Sequence, residues 1–338
     1  MLTNEEDQTS NSERGMPKVH FIPVMSLDLA SIQAAHQRIR PHINRTAVLT
    51  STRLNESNHT SLFFKCENFQ KVGAFKARGA TNAVFSLDEA TAQRGVATHS
   101  SGNHAAALAR AATARGIPAH IVMPSNSAKV KVRAVEGYGG RIVFCEPNQT
   151  ARELACARLI EQTGATLIHS FENENVMAGQ GTAAVELLED VADLDLVLCP
   201  IGGGGLLSGT AVAAKSLRSN IRVVAVEPLN ADDAAQSFRA GKLLPRAAND
   251  TIADGLRTNV GAPNFAIIQR WVDDIVTVTE ASIVASMRTI WETMKIIVEP
   301  SAAVPYAAIL ENKIDVRDQR VGIILSGGNV DLDALPWK

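Results

Sequence analysis

Cysteines and long apolar runs are scarce in this chain of 338 residues, and each scarcity excludes a class of protein. The four cysteines, Cys66, Cys145, Cys156 and Cys199, show no C-x-x-C spacing, so buried reduced thiols are expected in place of disulfides or a zinc site. No apolar run is long enough to span a bilayer, and the amino-terminal residues are polar, which predicts the absence of a signal peptide. We therefore expect a cytoplasmic protein.

A strong excess of charge of either sign is also lacking. The chain has 33 Lys+Arg against 35 Asp+Glu, so no basic field favours nucleic acid or an acidic membrane as partner. The 46% hydrophobic content is enough to bury a large core in a chain of this length. A chain of this length and hydrophobic content is expected to form two lobes.

Short β-rich runs alternate with helical patterns from about residue 95 onward. The run Val96–His99 precedes the alanine-rich segment Ala105–Arg115, and Arg141–Cys145 precedes Ala151–Thr163. This order predicts an α/β fold with parallel strands covered by helices, and it places ligands at the carboxyl ends of the strands. Residues 1–22 are expected to form a polar tail.

A run of four glycines, Gly202, Gly203, Gly204 and Gly205, lies between an apolar strand-like stretch and a helix-like one. Without side chains, the backbone can approach an anion closely, and the N-terminus of the following helix favours negative charge. The run is therefore typical of a phosphate cradle. An ordinary tight turn between strand and helix is the alternative.

Three further motifs lie at predicted strand ends or helix starts. Lys76, preceded by Phe75 in the sequence GAFKARGA, is a candidate nucleophile if burial lowers its pKa, although a solvated surface lysine fits equally well. The sequence SSGNH at 100–104 suits a substrate carboxylate, or it simply caps a helix. The sequence SGGN at 326–329 follows an apolar strand and is consistent with a plain turn as well.

Taken in order, these motifs resemble the fold-type II pyridoxal-phosphate enzymes of the serine/threonine dehydratase and serine racemase family, closest to the branch that includes serine racemase and threo-3-hydroxyaspartate dehydratase. The resemblance implies a tryptophan synthase β-like fold of two three-layer lobes with mostly parallel sheets, and a homodimer. It also implies a large cofactor-binding domain of residues 23–95 and 173–338, with a small domain of residues 96–172 that carries the asparagine loop.

The resemblance assigns the cofactor contacts. Lys76 would bind the cofactor aldehyde covalently and then act as base or acid at Cα of the substrate. Phe75 would pack against the pyridine ring, Asn103 would bind the ring hydroxyl, and Ser326 would bind the ring nitrogen. The four glycines at 202–205 would hold the 5′-phosphate.

The substrate contacts follow from the same resemblance. The carboxylate would lie on Ser100, Ser101, Gly102, Asn103 and His104. A catalytic Ser101 would face the side of Cα opposite to the lysine, which permits racemisation, whereas a helix-capping serine would have no such role. His104 would act as a donor or a packing residue, in preference to a general base.

The resemblance also implies a second substrate contact and a metal site, and each has an alternative interpretation. Arg152 would pair with a second carboxylate of a substrate such as 3-hydroxyaspartate, or it is a solvated residue in the first turn of a helix. Glu227, Asp233 and the backbone carbonyl of Ala231 would bind Mg²⁺, or Ca²⁺ or Mn²⁺ in its place. An acidic helix N-terminus without a metal is the alternative at that position.

The leading predicted function is a pyridoxal-phosphate-dependent serine/threonine ammonia-lyase that eliminates a β-hydroxyl to give a 2-oxo acid and ammonia. Serine racemisation is the alternative or a companion activity, followed by dehydration of threo-3-hydroxyaspartate. Two other classes stay open, namely a nucleotide-binding protein that uses only the glycine run and an inactive relative that acts as a scaffold.

Overall fold

A computed structural model describes residues 27–100, 102–245 and 249–337 of the chain. The predicted tail of residues 1–22 lies outside this part. Within it, no helix combines the length and apolarity that a membrane crossing needs. All four cysteines are free thiols, as predicted, but Cys145 is only half-buried.

The chain alternates strands and helices over most of its described length. The strands are β1 (Val48–Leu49), β2 (Ser61–Cys66), β3 (Val96–His99), β4 (Ala119–Pro124), β5 (Arg141–Cys145), β6 (Thr166–Leu167), β7 (Leu196–Pro200), β8 (Arg222–Pro228), β9 (Asp274–Val278) and β10 (Arg320–Leu325). The α-helices are α1 (Leu29–Ile39), α2 (Thr52–Asn58), α3 (Lys76–Phe85), α4 (Glu89–Gln93), α5 (Asn103–Arg115), α6 (Lys129–Gly137), α7 (Gln149–Thr163), α8 (Glu174–Asp190), α9 (Gly205–Leu217), α10 (Asp233–Ala240), α11 (Ala262–Trp271), α12 (Glu280–Met294) and α13 (Pro300–Leu310).

These strands form two sheets. The six-stranded sheet has the order β1-β2-β10-β7-β8-β9 and is parallel except for the short edge strand β1. The four-stranded sheet has the order β5-β4-β3-β6 and is entirely parallel, with all its strands between residues 96 and 167. The predicted α/β class with mostly parallel sheets is confirmed, while the exact domain boundaries stay a prediction.

The central strand β10 shows why the six-stranded sheet is covered on both faces. After Arg320 its residues are apolar and buried in succession, so Ile323 faces one hydrophobic core and Ile324 faces the other. Burying a side chain of this size stabilises the fold by about 1.5–3 kcal/mol. Helices α12 and α13 supply the first core and helices α8 and α9 the second, which gives three layers.

Glycines allow the three helices α3, α8 and α9 to cross closely. A Cβ at Gly179 of α8 would lie 2.6 Å from the Cα of Gly79 on α3, and a Cβ at Gly181 would lie 2.7 Å from the carbonyl oxygen of Gly209 on α9. The helical pattern in the sequence runs from Gly179 to Val191, and glycine disfavours helix interiors. The helix begins at Glu174 instead, since close packing of the three helices outweighs that propensity.

Candidate active site

The carboxyl ends of strands from both sheets meet at a cleft of about 880 Å³. The six-stranded sheet contributes the glycine run after β7 and Ser326 after β10, which are neighbouring strands. The four-stranded sheet contributes Ser100, Gly102 and Asn103 after β3. The motifs that the sequence scatters over more than 200 residues therefore line one cavity.

Lys76 is fixed in this cleft by the segment that precedes it. Ala74 pairs with Gly327, and the Phe75 N–H donates to the Ser326 carbonyl at 2.9 Å, so the start of α3 is joined to the end of β10. The Lys76 Nζ donates to the Ser170 carbonyl at 2.9 Å and lies 5.0 Å from the Phe75 ring centroid. Burial lowers the pKa of Lys76 to about 8. The neutral, nucleophilic amine is therefore about two orders of magnitude more abundant near neutral pH than for an ordinary lysine.

The glycine run ends in a helix N-terminus that no side chain caps. Gly204 has φ of 92°, which is the left-handed region, and it precedes α9 without any side-chain cap. A Cβ at Gly203 would collide with the Phe171 ring, and one at Gly205 would lie 3.0 Å from Phe171. The uncapped N–H groups of α9 leave a site for an anion.

A second uncapped helix faces the same cleft. Helix α5 follows Gly102, which provides no side-chain cap, and it starts with Asn103 and His104. The Ser100 Oγ accepts a hydrogen bond from the Gly102 N–H at 3.4 Å. Ser101 lies outside the described residues. Two helix N-termini in one cleft match a ligand pair with two anionic groups, as a cofactor phosphate and a substrate carboxylate would be.

His104 is a neutral residue in this arrangement. Its Nε2 lies 3.0 Å from the Ile168 carbonyl, which can only accept, so the proton is assigned to Nε2 and Nδ1 carries a lone pair. Burial lowers the pKa of His104 to about 3, with the Lys76 charge adding to the effect. Because the one ring proton faces the Ile168 carbonyl, His104 could donate to a substrate carboxylate only through its backbone N–H.

Arg152 lies in the first turn of α7 and belongs to the lining of the same cleft. It is half-buried and donates to Gln149. Burial lowers the pKa of the nearby His99, and the Arg152 charge adds to this. The arginine is therefore close enough to the cavity to act on a bound charge.

The structure adds cleft residues to which the sequence assigned no role. Phe171 packs on the glycine run, and Glu299 contacts Asn103 and the SGGN segment. Phe171 follows β6 in a loop without a motif, so no sequence signal identifies it. The signal for Glu299 is an acid directly before Pro300 at a helix start, within the sequence VEPSA.

The predicted metal ligands lie away from the cleft. Both oxygens of Glu227, at the end of β8, accept N–H groups of Ala234 and Ala235, at 3.1 and 2.8 Å. The Asp233 Oδ2 accepts from the Val260 N–H at 2.9 Å. Burial raises the pKa of Glu227 well above its usual range, and the Asp233 charge adds to this. No cluster of three or more His, Cys, Asp or Glu that could hold a metal occurs in the described ranges.

Comparison with known proteins agrees with this geometry. A family model described as pyridoxal-phosphate dependent enzyme matches residues 39–327. The β-hydroxyaspartate dehydratase of Paracoccus denitrificans is 50% identical over 305 residues, which is 90% of this chain and 97% of that protein. The serine racemase of Arabidopsis thaliana is 50% identical over 313 residues, 91% of this chain and 95% of that protein. The solved structure of maize serine racemase has 47% identity and a TM-score of 0.89, over 90% of this chain and 94% of that one.

Proposed function

The chain belongs to the pyridoxal-phosphate dependent enzyme family, and on this premise we propose that it is an ammonia-lyase acting on a 3-hydroxy amino acid. The observation that carries the proposal is the desolvated amine of Lys76 in a cleft with two uncapped helix N-termini. One N-terminus suits the cofactor phosphate and the other the substrate carboxylate.

The residues present have complementary tasks. The glycine run would hold the phosphate, Asn103 the ring hydroxyl and Ser326 the ring nitrogen. When bound, the cofactor supplies an electron sink that acidifies the α-proton of an attached amino acid. Lys76, whose pKa of about 8 is close to working pH, would take that proton as the β-hydroxyl leaves, which yields a 2-oxo acid and ammonia after hydrolysis.

Ser326 supports elimination over transamination. It is buried at the end of β10, and a serine hydroxyl does not hold a permanent proton on a pyridine nitrogen as a carboxylate would. The pyridine ring would therefore be a weaker electron sink than a ring whose nitrogen is paired with a carboxylate. Elimination suits a weak sink because the electrons released at Cα depart with the hydroxyl.

The test is a substrate panel of L-serine, D-serine, L-threonine and L-threo-3-hydroxyaspartate, assayed with Mg²⁺ and with a chelator. We expect oxo acid from at least one substrate. Serine racemisation is the second candidate function, favoured by the Arabidopsis relative, and the enantiomer ratio of residual serine measures it. If no substrate gives either product, both activities are excluded.

Arg152 provides the prediction on substrate class. Replacing it with alanine is expected to lower kcat/KM for 3-hydroxyaspartate by about 10- to 100-fold, because a charge-assisted hydrogen bond to the second carboxylate is lost. Elimination from serine, which has no second carboxylate, should change by less than about threefold. Arg152→Lys is the matched control, since it keeps the charge and loses the bidentate geometry. An equal loss for both substrates contradicts the assignment.

A divalent cation at Glu227, Asp233 and the Ala231 carbonyl is part of the proposal. The two carboxylates are buried together, and their hard oxygen atoms suit Mg²⁺ or Ca²⁺. Because Val260 both contacts Asp233 and lines the cleft, the cation would stabilise the cleft wall without touching the substrate. The homodimer and the cytoplasmic location stay predictions.

A further inference from the structure

Glu299 is a buried acid that does not cap its own helix. It precedes α13 as the N-cap residue, but its side chain makes no capping hydrogen bond to that helix. Its carboxylate instead accepts from the Asn103 Nδ2, at 3.0 Å for Oε1 and 3.2 Å for Oε2. It also accepts from the Asn329 N–H at 3.1 Å. The side chain is only 4% exposed, so these contacts are shielded from water.

The Asn103 amide is held from two sides. Its Nδ2 donates to Glu299, and its Oδ1 accepts from the Asn329 Nδ2 at 2.9 Å. The Asn329 side chain is itself fixed, since its Nδ2 also donates to the Val72 carbonyl at 2.8 Å. One Asn103 N–H shared between both carboxylate oxygens leaves the second N–H for a ligand in the cleft.

The orientation of this amide depends on the charge of Glu299. An ionised carboxylate only accepts, so the Asn103 nitrogen must face it. A protonated carboxyl also donates, and then the Asn103 oxygen can face it as well, so that only the bond from the Asn329 Nδ2 still opposes the flipped amide. Ionised Glu299 therefore removes one of the two amide orientations.

Glu299 also joins the two sheets. Asn103 follows β3 of the four-stranded sheet, whereas Asn329 follows β10 in the centre of the six-stranded sheet. A single carboxylate thus connects the start of α5 to the segment that carries Ser326.

We propose that Glu299 is a positioning residue whose carboxylate orients the Asn103 amide toward the bound cofactor. This rests on the proposed function only in that the cleft binds pyridoxal phosphate. Glu299 does not itself touch the reacting atoms in this scheme.

The charged groups around Glu299 place its titration in the range where the enzyme is assayed. Burial raises the pKa of Glu299 to about 7, and Asp254 acts in the same direction. The hydrogen bonds from Asn103 and Asn329 oppose this, and the charge of Lys131 on α6 opposes it as well. Glu299 in turn raises the pKa of Lys76 on α3 against the effect of burial.

Glutamine at this position imitates the protonated acid at every pH, since it offers one acceptor and one donor. The experiment titrates cofactor-free protein with pyridoxal phosphate and compares the dissociation constants of wild type and Glu299→Gln. At about pH 8 we expect the variant to bind about tenfold more weakly, the equivalent of one hydrogen bond. At about pH 6 the ratio should fall below about twofold, because wild-type Glu299 is then protonated too.

The ratio cancels every titrating group that Glu299 does not influence. Lys76 is not such a group, but loss of the Glu299 charge lowers the pKa of Lys76 and favours its neutral amine, which would strengthen cofactor binding and so opposes the expected weakening. Glu292→Gln on the exposed face of α12 is the matched control, expected to be unchanged. Equal ratios at both pH values overturn the proposal, as does an unchanged affinity at the higher pH. If Glu299→Gln does not fold, Asn103→Ala carries the test, since its cofactor affinity must then vary less with pH than that of wild type. Equal variation overturns the proposal. Because binding is measured without turnover, failure of the lyase assay leaves the result interpretable.

Discussion

Replacing Lys76 with alanine is expected to abolish turnover of every hydroxy amino acid, with a loss of at least about 10⁴-fold in kcat. Under the proposed function, the substitution would remove both the covalent partner of the cofactor and the base at Cα. Among the described residues, the amine contacts the Ser170 carbonyl and the Phe75 ring and interacts with the charge of Glu299, so its removal breaks no backbone contact of the segment and the fold should stay intact.

Two measurements check this. Oxo acid formation gives the rate, and mass spectrometry after borohydride reduction shows whether the cofactor remains attached. Lys71→Ala is the matched control, because Lys71 is an exposed lysine five residues earlier in the same segment, with no side-chain partner among the hydrogen bonds and ion pairs of the described residues. Retention of more than about 1% of wild-type activity in Lys76→Ala would show that another group supplies the base.

The second large effect concerns stability. Arg78 is fully buried two residues after Lys76 on α3 and forms ion pairs with Glu67 at 2.7 Å and Glu186 at 2.6 Å. Lys65 pairs with Glu186 at 2.7 Å, so the cluster holds two positive and two negative charges. Arg78→Met is expected to lower the free energy of unfolding by about 3–5 kcal/mol, because it leaves one buried negative charge uncompensated.

Urea denaturation measures this difference. Arg288→Met is the control, since its pair with Glu292 is exposed on both sides and is worth less than about 1 kcal/mol. The double variant Arg78→Met with Glu186→Gln should recover part of the loss, because the net buried charge returns to zero. A loss below about 1 kcal/mol for Arg78→Met would mean that water reaches the cluster.

The same cluster of Lys65, Glu67, Arg78 and Glu186 determines how the stability of the fold changes at low pH. Burial opposes the ionisation of Glu186, but hydrogen bonds and charge from Arg78, with those from Lys65, outweigh it and lower the pKa of Glu186 to about 2. A group whose folded-state pKa is depressed contributes its stability above the usual value of 4.5 and loses it as the pH falls toward 2. The cluster that holds α3, and Lys76 with it, therefore persists in mild acid.

Sequence patterns were sufficient to predict the elements that carry the cleft. Apolar runs followed by small or glycine-rich segments mark β3, β7 and β10, because only residues with little side chain permit a sharp turn into a helix or a close approach of a ligand. Each segment alone also fits an ordinary turn. Their order along the chain, together with Lys76, makes the prediction specific.

Contacts across the cleft could not be predicted in the same way. The packing of Phe171 on Gly203 and the bond from Glu299 to Asn103 join residues that are 32 and 196 positions apart, and no local periodicity encodes such pairs. The two-residue strand β1 was missed as well, since Val48 and Leu49 are too few to show an alternation. The early start of α8 has a tertiary cause, namely the glycine contacts with α3 and α9.

The partner of the Lys76 amine is a backbone carbonyl, that of Ser170, and this affects how the enzyme can diversify. Every residue type provides a carbonyl, so a change of side chain at position 170 leaves the lysine with its acceptor. The neighbouring residues Phe171 and Glu172 also line the cleft. The side chains with which this loop lines the cleft can therefore change while the Lys76 amine keeps its acceptor.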